Sequence, residues 1–332
     1  MRRFEGIGGR IAALTLAALG AAGGAAAQVV PAPASPVQPA MPVSPVAHIE
    51  TRGSGPVHLI LVPGISCDWS VWEGFMARNG ERYTMHAVTL PGFGGSGPAY
   101  IVMGTRYSTP TWLDNARRAL VKAADDLKIE KPVVVGHGLG GTIALDLGIE
   151  HGDRFGGVVS IEGLAAIPIA GPGQDLTPEQ RRGAIDGSIA SSYANQTDEQ
   201  FQEVRRRNIA TMTDDPALAA RLAEMFAQVA RSIEMRYLLE VLSKDLRPGL
   251  ATMRTPALVI GAVPALPEGA KPEALEPARA IWREQFGGAP NVTLQLIEES
   301  RHFVMDQRPE AVDGAIAKFV QGLPQGSSVQ RK

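Results

Sequence analysis

Apolar residues in this chain recur at two spacings, and the switch between them sets out the elements. Short β-branched runs predict strands over 57–62, 84–90, 133–135 and 157–161. Between them, apolar positions fall at helical intervals. Leu113, Ala116, Leu120, Ala124 and Leu127 mark an amphipathic helix over 109–127, and Ile143 and Leu147 share one face of a helix over 139–150. From Leu164 to about Arg247 only helical signals occur. Thr177-Pro178-Glu179-Gln180 and Thr197-Asp198-Glu199-Gln200 read as capping boxes, Asp215-Pro216 opens a third helix, and 233–242 is a fourth. Alternation then resumes, with strands over 257–261 and 292–297 and helices over 277–286 and 309–319. Such alternation predicts an α/β fold. Its sheet is mostly parallel and flanked by helices, its functional loops leave the strand C-termini, and an all-helical insert interrupts it.

The ends of the chain read differently. Arg2 and Arg3 precede an apolar run from Ile11 to Leu19, and Ala25-Ala26-Ala27 follows, which together predict a secretory signal over 1–27 cut before Gln28. The run is too short and too rich in small residues to persist as a membrane anchor. Export to a bacterial periplasm or exterior is the expectation. Residues 28–46 form a Pro/Ala-rich extended linker, and 324–332 a polar tail. The α/β core then comprises 47–163 and 251–323, and the helical cap 164–250.

Charge and composition narrow the function classes. The 332 residues carry a formal charge of −2, which leaves no electrostatic footprint for nucleic acid or an anionic membrane. Arg205-Arg206-Arg207 is the one basic run, and it reads as the solvated face of a helix. Cys67 is the only cysteine, so no intramolecular disulfide can form. The six histidines show no metal-ligand spacing, so neither metal nor cofactor is implied.

The chemistry gathers at Val133-Val134-Val135-Gly136-His137-Gly138-Leu139-Gly140-Gly141, a strand, a glycine turn and a helix start. Two formats fit it. Gly136, Gly138 and Gly141 satisfy the dinucleotide fingerprint Gly-x-Gly-x-x-Gly, with Glu162 about 20 residues on. Gly136 to Gly140 also fits the nucleophile elbow Gly-x-Ser-x-Gly, with glycine in the serine position. The first format explains one unit and leaves other motifs unplaced. Leu61-Val62-Pro63-Gly64-Ile65 looks like an oxyanion loop, and Leu90-Pro91-Gly92-Phe93-Gly94-Gly95-Ser96 like the Pro-Gly-x-Gly-x-Ser segment of the same family. With the cap and a late His302, these occur in the family's order. From Ala47 to Leu323 the chain resembles the α/β-hydrolase fold family of serine hydrolases.

That resemblance implies roles. His302, between the last strand and the last helix, stands where the family carries its base. Glu162, at the end of the 157–161 strand, takes one of the family's two locations for the acid. Glu268, the first carboxylate after the 257–261 strand, is the other candidate but comes several residues late. The backbone N–H groups of Leu139 and Ile65 take the oxyanion positions. Gly138 takes the nucleophile position and carries no oxygen. Ser66 and Cys67, in the oxyanion loop, could substitute only if the loop turned them toward His302; Cys67 reads as a packed small hydrophobe. Trp69 and Trp72 read as loop packing. Met212, Met225, Phe226, Met235 and Tyr237 sit at core spacing in the cap. The expected partner is a small acyl compound in a capped pocket, as substrate for an esterase- or lactonase-like reaction impaired by Gly138, or as ligand of a non-catalytic relative.

Overall fold

The computed structural model describes residues 43–99, 106–109, 111–170 and 175–324. The segment expected to be a secretory signal, the expected linker up to residue 42 and the tail from residue 325 lie outside them. Ser44 exchanges two backbone hydrogen bonds with the Asn115 amide, so residues before 47 also pack onto the core.

Seven strands form one sheet: β1 His48–Arg52, β2 Val57–Val62, β3 Tyr83–Thr89, β4 Val133–His137, β5 Gly157–Ile161, β6 Ala257–Ala262 and β7 Val292–Ile297. Their order is β1-β3-β2-β4-β5-β6-β7, and all pair in parallel except β1, which runs antiparallel to β3. Strands β4, β5 and β6 are buried along their whole length, which is why they read as unbroken apolar runs. The edge strand β1 has no fully buried residue, so its alternation is too weak to stand out in the sequence.

Helices α1 Glu73–Asn79, α2 Thr111–Asp126 and α3 Leu139–Glu150 belong to the first half of the core. Helix α3 is buried from Leu139 to Gly148 and is apolar around most of its surface, as suits a helix enclosed by sheet and neighbours; its one buried charge, Asp146, pairs with Arg117 and Lys244. It lies close enough to β4 that side chains are excluded. A Cβ on Gly136 would fall 2.0 Å from the Gly140 oxygen, and one on Gly140 would fall 2.3 Å from the Val62 oxygen. These glycines are packing requirements of a strand–turn–helix crossing, and the other two members of the apparent dinucleotide spacing are accounted for in the same way: Gly138 holds a φ of 52°, and a Cβ on Gly141 would fall 2.6 Å from Ser160 Oγ.

The cap comprises α4 Pro178–Ala184, α5 Ala190–Ala194, α6 Asp198–Met212, α7 Pro216–Ala227, α8 Arg231–Ser243 and α9 Arg247–Leu250, with a π-helical turn at Ile185–Ile189 joining the first two. Both predicted capping boxes form, at Thr177 with Gln180 and at Thr197 with Gln200, and Asp215 caps α7. The expectation for the basic run needs correction. Arg206 and Arg207 are exposed and pair with Glu203, but Arg205 is buried and forms an ion pair with Glu234. Three consecutive residues spread over about 200° of a helix, so one of them can face inward while its neighbours stay in solvent.

Helix α8 clamps the cap to the core. The fully buried Glu240 accepts hydrogen bonds from the backbone N–H groups of Trp112 and Leu113 at the start of α2, at 2.8 and 2.9 Å, and pairs with Arg236. Those first-turn donors have no partner within their own helix. The chain closes with α10 Glu276–Phe286, α11 Val304–Gln307 and α12 Pro309–Gln321.

Candidate active site

Because β2, β4, β5, β6 and β7 are parallel, their C-terminal ends share one edge of the sheet. Ile65, Gly138, Glu162, Pro264 and His302 all follow those ends. They meet at a cavity of about 320 Å³ between that edge and the cap. Its inner wall is apolar, with Leu139, Leu164 and Trp282 from the core and Leu238 and Val241 from the cap. Arg301, Asp214 and Gln307 stand at the outer end.

Gly138 sits at the turn between β4 and α3 with φ 52° and ψ −114°, a conformation that an L-residue holds only with strain and glycine adopts freely. Its N–H donates to the Ile161 carbonyl at 2.8 Å, and its carbonyl accepts from the Thr142 N–H at 3.1 Å. The turn is therefore locked into β5 and α3. Its outward direction is specific. A Cβ there would lie 3.1 Å from Nε2 of His302, and 3.8 Å from the Gly64 Cα.

His302 Nδ1 lies 3.2 Å from Oε2 of Glu162, and Oε1 of the same carboxyl accepts the Ala262 N–H at 2.6 Å. Glu162 itself has φ 57°, which turns its side chain back across the ends of β5 and β6. Burial pushes the Glu162 carboxyl up to about 8, partly offset by the Ala262 N–H, and burial pulls His302 down to about 4. Both shifts favour the uncharged forms of the pair. Which proton the pair holds decides what faces Gly138. With Glu162 ionised, His302 donates through Nδ1 and presents a lone pair at Nε2. With Glu162 protonated, the carboxyl donates to Nδ1 and Nε2 presents a hydrogen.

His137 supports this arrangement from beneath. A carbonyl only accepts, so the 2.9 Å contact between His137 Nε2 and the His302 oxygen is a ring N–H donating. Its ring packs 4.5 Å from that of His302 and 4.6 Å from that of Phe303. Burial keeps His137 neutral. The sequence pattern marks His137 only as a variable position of the turn, and its inward direction, set by the period of β4, was the available signal.

The remaining candidates separate clearly. Glu268 is exposed and does not line the cavity, so Glu162 is the carboxylate beside His302. Leu139 is the first residue of α3, where N–H groups lack helical partners, and both it and Ile65 line the cavity. Ser66, at φ 59°, points away and donates to Glu234 at 2.7 Å. Cys67 is buried off the cavity, and desolvation raises its thiol far above the ordinary range. Trp72 is fully buried and neither Trp69 nor Trp72 lines the cavity. Of the five cap residues, Met212 lines it as well as packing, whereas Met225, Phe226, Met235 and Tyr237 are buried in the core clusters. Among the described residues, no group of three or more His, Cys, Asp or Glu is placed to hold a metal ion.

The sequence model described as the alpha/beta hydrolase family matches residues 59–315. The chain belongs to the alpha/beta hydrolase family. It is 29% identical over 266 residues to a pimeloyl-[acyl-carrier protein] methyl ester esterase of Aeromonas hydrophila, covering 77% of this chain and 98% of that protein. In structure it resembles a hydrolase from Oleispira antarctica, with a TM-score of 0.60 at 19% identity, over 82% of this chain and 94% of that one. It also resembles the enol-lactonase from Burkholderia xenovorans LB400, with a TM-score of 0.58 at 17% identity, over 82% and 96% of the two chains. At those identities the structural likeness speaks to the fold alone.

Proposed function

We propose that this chain is an exported alpha/beta hydrolase whose capped pocket receives a small ester or lactone and which lacks the covalent acyl-enzyme route of its relatives. One observation carries the reading. The side-chain position at Gly138 points at Nε2 of His302 from 3.1 Å, and His302 is bonded in turn to Glu162. A base, an orienting acid and a turn aimed at the base are the parts that activate a serine, and here the turn offers no oxygen.

In the ancestral reaction, His302 would take the serine proton, Glu162 would hold the imidazole, and the N–H groups of Leu139 and Ile65 would receive the oxyanion. Loss of the nucleophile leaves an acceleration over water of roughly 10³–10⁴ from binding and oxyanion stabilisation. The apolar wall formed by Leu139, Leu164, Leu238 and Trp282 suits an uncharged acyl group. A second reading, a binding protein that keeps the pocket without turnover, draws on the same glycine. Two measurements separate them. Gly138→Ser should raise hydrolysis of short nitrophenyl esters about 10²-fold, and a folded variant with no gain rejects the hydrolase ancestry of the site; thermal stabilisation of the unmodified chain by such an ester without turnover favours the binding protein. Export rests on the Arg2-Arg3, Ile11 to Leu19 and Ala25-Ala26-Ala27 sequence. N-terminal sequencing of the secreted or periplasmic protein should start at Gln28, and a retained Met1 would reject it.

A further inference from the structure

We propose that the inner half of the cavity is a subsite for an apolar acyl chain of about eight carbons, ended by Trp282, and that the polar half of the ligand faces the outer end. The proposal rests on the acyl-pocket reading above and fixes the size and direction of what that pocket takes. The cavity passes over the edge of the sheet. Its inner wall, formed by Leu139, Leu164, Leu238, Val241 and Trp282, belongs to the core cluster on the α2 and α3 side. Met212 and Phe303, on the His302 side, belong to the cluster that holds α1 and α12. The polar donors of the inner half are already engaged. Thr142 Oγ1 donates to the Leu164 carbonyl at 3.1 Å, and the Trp282 ring N–H donates to the Ala262 carbonyl at 3.3 Å. A polar ligand atom placed there would lose its water without gaining a donor, whereas an apolar chain loses nothing.

Trp282 is a fixed end. A Cβ on Gly261 would meet its ring at 2.5 Å, and Phe286 stacks beside it with ring centroids 6.2 Å apart, so the indole has no room to retreat. The Gln285 side chain on the same helix accepts the Ala166 N–H at 2.9 Å, which fixes the segment after Leu164 to α10. Gly138 follows β4, and Ala262, the partner of Trp282, ends β6, two strand spacings or about 10 Å away. The cavity of about 320 Å³ has room for about ten non-hydrogen atoms at the volume of a water molecule each. An acyl group of about eight carbons with its ester oxygens meets both limits. His302 sets the direction. In acyl transfer the base hands its proton to the leaving oxygen, so the alcohol half lies on the His302 side and the acyl half on the other. Past His302 stand Arg301, Asp214 and Gln307, with the Gln307 amide donating to Asp214 at 2.6 Å. The alcohol half thus meets polar groups, and the chain meets the apolar wall.

The test titrates the unmodified chain with N-(2-hydroxyethyl) amides of straight-chain acids, which keep the shape of an ester and resist cleavage. Calorimetric dissociation constants should fall about three-fold for each added carbon up to about eight carbons, and then level or rise. A hydroxyl on the last carbon of the chain should weaken binding about ten-fold or more. Bromine on that carbon should quench tryptophan emission on binding, and Trp282→Phe should abolish the quenching, because Trp69, Trp72 and Trp112 do not line the cavity. Val241→Phe narrows the inner half and should move the optimum to a shorter chain, which covers the case in which Trp282→Phe fails to fold. Affinity that does not rise with chain length overturns the subsite and leaves the pocket reading in place. Undimmed emission with the brominated amide bound overturns it too, as does an optimum that Val241→Phe leaves where it was. A chain that binds no amide of any length rejects the pocket reading and the proposal with it.

Discussion

Ser66 Oγ donates to Glu234 across 2.7 Å, so one residue beyond Ile65 the loop leaving β2 is bonded to cap helix α8. The same carboxylate oxygen accepts Nε and Nη2 of Arg205 on α6, at 3.0 and 2.6 Å, and Arg205 Nη2 also reaches the Val229 carbonyl. The loop that carries Ile65, the proposed oxyanion donor, is thereby fixed to two helices of the cap. Glu234→Ala leaves a guanidinium buried without its partner, and a loss of about 3–5 kcal/mol is expected in urea unfolding. Glu234→Gln retains an acceptor and should lose less. Equal losses would show that the charge on Glu234 contributes nothing.

The glycines of the turn should respond unequally to a single methyl group. On Gly140 that methyl meets the Val62 oxygen at 2.3 Å and the Pro63 oxygen at 2.6 Å, which are backbone atoms with nowhere to move. Gly140→Ala should cost about 3 kcal/mol or more, or prevent folding. On Gly138 the nearest atoms belong to the His302 ring, which can shift by a few tenths of an ångström. Gly138→Ala should cost about 1–3 kcal/mol, from its backbone conformation. Thermal denaturation of the two variants distinguishes them.

Stability should also depend on pH through the buried pair. Burial raises Glu162 to about 8 in the folded chain, against an ordinary value of 4.5, so the folded state binds the proton more tightly than the unfolded state does. Its stabilising contribution is full below pH 4.5 and is lost as pH rises through about 8. Glu162→Gln removes that titration, so its stability relative to the unmodified chain should grow across this window by a few kcal/mol. His302 works in the opposite sense. Its value falls from 6.5 to about 4, so its contribution is full above pH 6.5 and is lost as pH falls through about 4. A pH-independent difference between Glu162→Gln and the unmodified chain would show that the carboxyl is not desolvated.

The helix-capping assignments can be checked with modest substitutions. Thr177 Oγ1 accepts the Gln180 N–H at 3.2 Å, and the Gln180 side chain accepts the Thr177 N–H at 2.9 Å. Thr177→Ala should lower stability by about 1 kcal/mol. No change would mean that this end of the cap frays without cost.

Much of this arrangement is legible in the sequence because the parallel strands are buried on both faces. Strands β4 and β5 contain almost nothing but apolar residues, and their ends locate Gly138 and Glu162. The order of motifs then places His302. Other features depend on tertiary contact and leave little local trace. Strand β1 is an exposed edge, and α1 is too short to display a period. Arg205 looks identical to Arg206 and Arg207 until Glu234, distant in sequence, meets it. His137 occupies a variable position in the turn, and only its hydrogen bond to the His302 carbonyl reveals its part in the site. Position in the sequence favours Glu162 over Glu268, which comes several residues late, and the left-handed backbone at Glu162 carries its carboxyl to His302.

In the proposed reading Gly138 occupies a nucleophile position whose base and acid are intact. The intact mass of Gly138→Ser after exposure to a fluorophosphonate tests this most simply. One covalent adduct per chain is expected, on residue 138, with none on the unmodified protein and none when His302→Gln is added to the variant. A folded Gly138→Ser protein that stays unlabelled would contradict it, as would labelling of the unmodified chain at Ser66 or Cys67.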